Sequence, residues 1–264
     1  MQMWPTLVLP VLAGGACAAL VNYLCDVLPR TRRLSAPTCM QCGTTYDWRT
    51  YALSARCPTC GHGRGARPWL TTLAMMVLSL YVWTHAPRMG YWAALLVLGY
   101  FGIVVVIDVE HRLILREVSA AGAAIGVLIG SWQHGIVATL LGGLAGFLLM
   151  YLLYMLGVLF SRARAGRLTR LGREAENEEA LGWGDVTLGG VLGLLLGWPL
   201  FFLALLLGIL IGGALGLMIV LAAVLRGAYG RQALTLFMPY GPSLVIGASC
   251  ILFLPDLVSA MLPK

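Results

Sequence analysis

The sequence predicts an all-α polytopic membrane protein with about eight transmembrane helices and one small cysteine-bearing loop on the cytoplasmic side. Three observations carry that prediction. Of 264 residues, 59% are hydrophobic and 11% charged, with mean hydropathy +0.85. A soluble chain of that length needs far more polar surface. The apolar residues gather into eight runs near the ~20 residues that a bilayer demands. The basic residues, finally, fall almost wholly between alternate runs.

The runs are 5–27, 68–86, 90–107, 117–133, 135–160, 184–200, 201–225 and 240–260. Only Trp198-Pro199 divides the stretch 184–225 into two helices. No basic segment precedes the first run, and its arginines follow it, so 5–27 reads as a retained helix rather than a cleaved leader. Seven arginines lie in 28–67, two in 108–117, five in 161–181 and two in 226–239, against Arg88 and Lys264 on the other side. Short loops rich in Arg stay cytoplasmic, which puts both termini outside the cytoplasm. The net charge of +7 is thereby assigned to topology and a lipid bilayer partner, not to nucleic acid. The expected organisation is a first transmembrane helix (1–27), a cytoplasmic loop (28–67) and a seven-helix membrane domain (68–264). Glycines four apart (Gly142 and Gly146; Gly189, Gly193 and Gly197; Gly208, Gly212 and Gly216) place small residues on single helix faces and predict close helix contacts.

The loop carries Cys39-Met-Gln-Cys42, fourteen residues, then Cys57-Pro-Thr-Cys60. Two C-x-x-C turns at that separation form a zinc-ribbon-like pattern, because each turn aims two thiolates at one point. Gly43 and Gly61 follow the second cysteine of each pair, where a positive φ is often needed. Two disulfides are the rival reading, and a reducing cytoplasm weighs for Zn2+ or another soft metal. Four sulfurs leave no open position, so Cys39, Cys42, Cys57 and Cys60 predict a structural metal. His62 reads as a surface residue, and Cys17, Cys25 and Cys250 as apolar fillers.

Two aspartates stand apart from the other acidic residues. Asp108 closes the apolar stretch from Tyr91 to Ile107, and Asp185 opens the run from Val186 to Leu196 after Gly182-Trp-Gly184. The charge count puts both at the cytoplasmic membrane boundary, where they could meet in one wet cleft. Acidic groups at membrane depth are costly and mark function by default. Two close carboxylates share a proton, so one can activate a water while the other donates to a carbonyl oxygen. Gly182 and Gly184 let a substrate backbone approach. A helix N-terminus favours the ionised form of Asp185. The bland reading is helix capping, which suits Asp185 better than Asp108, since Asp108 ends its run. Asp26 ends the first run, Glu110 and Glu117 read as parts of a short polar loop, and Glu174–Glu179 as a solvated face.

In these residues the chain resembles the type IV prepilin leader peptidases, a family of G-x-G-D intramembrane aspartic proteases. Gly182-Trp-Gly-Asp185-Val-Thr-Leu188, with Gly193, Gly197 and Trp198 downstream, resembles the G-x-G-D-x-K-L segment. Val106-Ile-Asp108-Val-Glu-His-Arg-Leu-Ile-Leu115 is similar to the segment of the first catalytic aspartate. Phe237-Met-Pro239-Tyr-Gly241-Pro242-Ser-Leu is similar to the I-P-F-G-P stretch. The eight-span layout and an early tetracysteine loop also match. The resemblance implies that Asp108 and Asp185 are the catalytic pair and that Pro239, Gly241 and Pro242 shape the cleft. It implies removal of the basic leader of a type IV prepilin or pseudopilin precursor at the cytoplasmic membrane face. For many members it also implies N-methylation of the new N-terminus by S-adenosylmethionine. The chain departs from the pattern at Thr187, where the family has Lys, at Leu115-Arg116-Glu117, where L-P-D is usual, and at Val27 in the R-L-P stretch ending Leu28-Pro29. Two other classes compete: an ion or solute transporter using the same aspartates as cation sites, and a scaffold using the cysteine loop alone.

Overall fold

The computed structural model describes residues 4–53, 56–85, 87–170, 182–225 and 240–254. Among them every long element is helical: α1 (Trp4–Thr31), α2 (Trp48–Leu53), α3 (Arg67–Thr84), α4 (Gly90–His111), α5 (Arg116–His134), α6 (Ile136–Arg170), α7 (Trp183–Leu196), α8 (Leu200–Leu225) and α9 (Gly241–Phe253). The eight apolar runs each become one helix, and α2 is a short extra turn inside the cysteine loop.

Several helices outrun their apolar cores. α1 continues to Thr31, α4 to His111 and α6 to Arg170. Hydropathy locates the segment that prefers lipid, while a helix can continue through Arg and Glu, which are good helix formers. Glu110 therefore lies in the last turn of α4 and not in a loop. Pro199 follows a cis peptide bond after Trp198, and Gly197 has φ +68°, so α7 and α8 are separated where the sequence placed its punctuation.

Among the described residues, four segments are long and apolar enough to cross a bilayer: 7–31, 90–111, 136–162 and 200–222. α3 and α5 are long enough but fall short on composition, and α7 and α9 on length. At ~1.5 Å per residue, the 14 residues of α7 and 13 of α9 reach only about two thirds of a hydrocarbon core.

The chain divides into two compact units, Met1–Val118 and Ser119–Lys264. In the first, α1, α3 and α4 pack together. Gly14 lies against Met75 and Ser79, and Gly102 against Met75 and Val21. Ser79 donates to the Pro10 carbonyl at 2.7 Å and meets the Tyr91 hydroxyl at 2.8 Å, which satisfies a hydroxyl that is fully buried. In the second unit, α6 lies along α7, and α8 along α9. The glycine spacing explains the first seam. A Cβ on Gly142 or Gly193 would run into the backbone of the other, and one on Gly146 into the backbone of Gly189. Gly208 and Gly212 likewise admit Leu244 and Ser243 of α9, while Gly216 faces open space.

Candidate functional site

In the first unit, Asp108 sits in the last turn of α4 and is 6% exposed. Tyr100, Phe101, Val104 and Ile107 are buried on the same helix, a spacing of one inward face. The helix ends three residues later. Arg112 takes a left-handed conformation at φ 52°, and its N–H donates to the Asp108 carbonyl at 2.8 Å.

In the second unit, Asp185 is the third residue of α7, half-buried, and its Oδ2 accepts the Gly182 N–H at 3.1 Å. Gly182 is the N-cap in extended conformation. The capping reading of Asp185 is therefore realised, and it fixes the carboxylate at the positive end of the helix. Two further contacts hold this turn. Thr187 donates to the Gly184 carbonyl at 2.8 Å and meets the Ser119 hydroxyl of α5 at 3.0 Å. Trp183 stands edge-on to Phe147, Tyr151 and Tyr154 of α6, with ring centroids 6.0–6.1 Å away. Thr187, noted in the sequence only as a departure, thus has a bonding role that hydropathy could not show.

Of the cleft-shaping candidates, Gly182 and Gly184 flank Trp183 at the start of α7. Gly241 and Pro242 open α9, with Gly241 buried. Pro239 lies outside the described residues, as do Glu174, Glu176, Glu178 and Glu179.

The cysteine loop folds as two matching turns. The Cys39 N–H donates to the Thr44 carbonyl at 2.9 Å, and the Cys57 N–H to that of His62 at 2.8 Å. The Gly43 and Gly61 N–H groups return to the carbonyls of Cys39 and Cys57. Gly43 and Gly61 have φ +71° and +70°, as their places after the cysteines predict. The four sulfurs lie within 4.8 Å of one another, with Cys39 and Cys60 at 3.6 Å and Cys42 and Cys57 at 3.7 Å. A tetrahedral site with bonds of ~2.3 Å needs sulfurs roughly 3.8 Å apart, so the set fits a metal such as zinc. All four thiols are free rather than paired in disulfides. The Cys42 N–H, then that of Gln41, points at the Cys39 sulfur and pulls its thiol down to about 6. The Cys60 N–H, with that of Thr59, lowers Cys57. Thiolates prepared in this way suit a cation. Tyr46 and Tyr51 pack behind Cys39 and Cys57, with Tyr23 of α1 beside them.

Sequence reasoning missed a charged cluster between this loop and the helices. Asp26, at the end of α1, accepts from Arg64 at 2.8 Å, from Arg67 and from the Tyr51 hydroxyl. Arg67 also reaches Glu110 of α4 at 3.0 Å. Burial, then the bond to Asp26, pushes the Tyr51 phenol up and keeps it protonated. A cleft of about 360 Å³ opens onto these groups and onto Arg30 and His111. Opposite charges 38 and more residues apart leave no periodic trace, so no sequence signal could have paired them.

Residues 94–217 match the model described as the type IV leader peptidase family. Over that segment the chain is similar to the type IV leader peptidase family. It contains Asp108, Gly182, Gly184 and Asp185, and the family is one of proteases. The cysteine loop and the start of α9 lie outside the leader peptidase segment. No curated protein and no solved structure matches the chain.

Proposed function

We propose that the protein is an aspartic endopeptidase that removes the basic leader of a type IV prepilin or pseudopilin at the cytoplasmic face of a bacterial inner membrane. One observation carries the reading: a single family match spans both aspartates, one buried in the closing turn of α4 and one capping the first turn of α7. In this reading Asp108 and Asp185 act as a pair. One carboxylate takes a proton from water, and the other donates to the scissile carbonyl oxygen. The pair titrates as a unit, so neither proton belongs to one residue. The eight apolar helices, α1 and α3 to α9, cross or enter the membrane, the short α7 and α9 being covered by protein rather than lipid for part of their length. The tetracysteine loop holds a structural Zn2+ and does no bond chemistry, its ligand set being complete. Gly182, Gly184, Gly241, Pro242 and Pro239 border the substrate path. Methyl transfer from S-adenosylmethionine is left to the same measurement and is not part of the proposal. No feature of the fold or of the family match favours the transporter reading.

The test is co-expression with a candidate prepilin, followed by mass spectrometry of its N-terminus. The wild type should create a new N-terminus at the border of leader and hydrophobic stem. Asp108→Asn and Asp185→Asn should each lower the rate by about 10²–10⁴-fold, the scale of a lost general acid or base. A new N-terminus that still forms at the wild-type rate with either variant removes the assignment. Added mass on that N-terminus would report methylation separately.

A further inference from the structure

We propose that Arg67 is a positioning residue that fixes the last turn of α4, and with it Asp108, by bridging Asp26 on α1 to Glu110 on α4. The functional side of this inference rests on the protease reading above; the bridge itself does not. Arg67 is the first residue of α3 and follows directly from the second cysteine turn. One of its terminal nitrogens meets Asp26 and the other meets Glu110 at 3.0 Å. A planar guanidinium, whose in-plane donors point along different edges, suits that geometry, and Lys offers no such fork. The side chains of Arg67 and Asp26 are each 17% exposed, so the pair is shielded from salt more than a surface ion pair is.

Glu110 makes the case. An acidic residue in the last turn of a helix has the unfavourable sign for the helix dipole. Glu110 Oε2 has His111 Nε2 of α4 at 3.9 Å, but its short contact is the one to Arg67 at 3.0 Å. Glu110 is two residues from Asp108, in the closing turn of α4, where the Arg112 N–H holds the Asp108 carbonyl at 2.8 Å. The carbonyls beyond it lie past the last helical bond, where helices fray. Arg64 completes the brace from the loop side. It meets Asp26 at 2.8 Å, donates to the Tyr51 carbonyl at 3.0 Å, and lies 4.0 Å over the Tyr51 ring. The cysteine loop thus reaches the turn of Asp108 through one aspartate, two arginines and one glutamate. This gives the loop a task that does not require it to touch substrate.

Glu110→Gln keeps the shape of the side chain and removes its charge, while Arg67→Lys keeps the charge and removes the fork. Both are measured in the full-length protein in detergent or nanodiscs, with Asp47→Asn in the loop as a control. The first readout is hydrogen exchange of the amides of residues 108–112. The second is kcat and KM on a prepilin. Glu110→Gln should raise exchange and lower kcat by about tenfold each, the scale of one charge-assisted hydrogen bond, with KM unchanged. Arg67→Lys should shift both in the same direction, and Asp47→Asn neither. Wild-type exchange in both variants overturns the bridge. Raised exchange with unchanged kcat overturns the positioning role and leaves a purely structural one. If the wild type cleaves no prepilin, the protease reading fails on its own, and the exchange measurement still decides the bridge.

Discussion

The loop end of the first unit and the α6–α7 seam of the second are held together by opposite means. Around Asp26, Arg67 and the four cysteines the contacts are ionic and sulfur-based. Between α6 and α7 backbone meets backbone at Gly142 and Gly193 and at Gly146 and Gly189, with Met150, Phe147 and Leu194 side chains packed against the neighbouring glycines. The difference follows from the solvent each expects. In water, charge can organise a segment too small to build a large core, and in loop 28–67 four converging cysteines are placed where a metal could add to it. In lipid no hydrophobic drive presses helices together, and close packing of small residues takes its place.

The sharpest way to break that comparison is Cys39→Ser. Structural zinc contributes on the order of 10 kcal/mol in small metal-folded modules, so the variant should lose its metal and its loop should become open to limited proteolysis. Metal content by mass spectrometry and a cleavage map of 28–67 check this; retained metal would argue against a four-sulfur site. Gly193→Leu attacks the other side. It should cost about 1–3 kcal/mol or more, because the atoms it meets are backbone and cannot step aside. Unfolding in mixed micelles should show the loss while metal content stays at the wild-type level. If both fall together, the two regions are not independent.

A pH series sharpens the comparison further. The Cys39 thiol is depressed from 9.0 to about 6. Its thiolate therefore favours the folded loop fully above about 9, and that contribution is lost as pH falls toward 6. Against the pull of the His62 N–H, burial and the neighbouring sulfurs push Cys60 up to about 12, so metal binding must release protons. Affinity should already fall as pH drops through neutrality, by up to about tenfold per pH unit for each proton displaced. It should fall more steeply below about 6, where Cys39 also protonates, as competition with a chromophoric chelator would show. The glycine contacts between α6 and α7 hold no thiol and should not respond between about pH 9 and 6. Thr187→Val should give the smallest effect, about 0.5–1.5 kcal/mol, through loss of the bonds to Ser119 and Gly184. The same micelle unfolding measures it, and a wild-type midpoint would show that the Ser119 bond contributes nothing.

How far these features were legible depended on their range. Gly43 and Gly61 announced their left-handed turns because the cysteines before them set a local geometry. Gly142 and Gly193 announced small faces, though not which helix each would meet. The short helix α2 went unseen, since Trp48–Leu53 carries no periodic signal over six residues. Asp26 reads in the sequence as the end of the first run and Glu110 as part of a short polar loop.

By itself the sequence determined the helical runs, the break at Trp198-Pro199, the paired cysteine turns and the two aspartates at the edges of apolar segments. Each of these is written in neighbouring residues, through hydropathy, turn chemistry or spacing. Only the tertiary structure decided that Gly142 meets Gly193, and that Arg67 joins Asp26 to Glu110. Those pairings depend on how helices distant in the chain lie against one another, and no local preference encodes that.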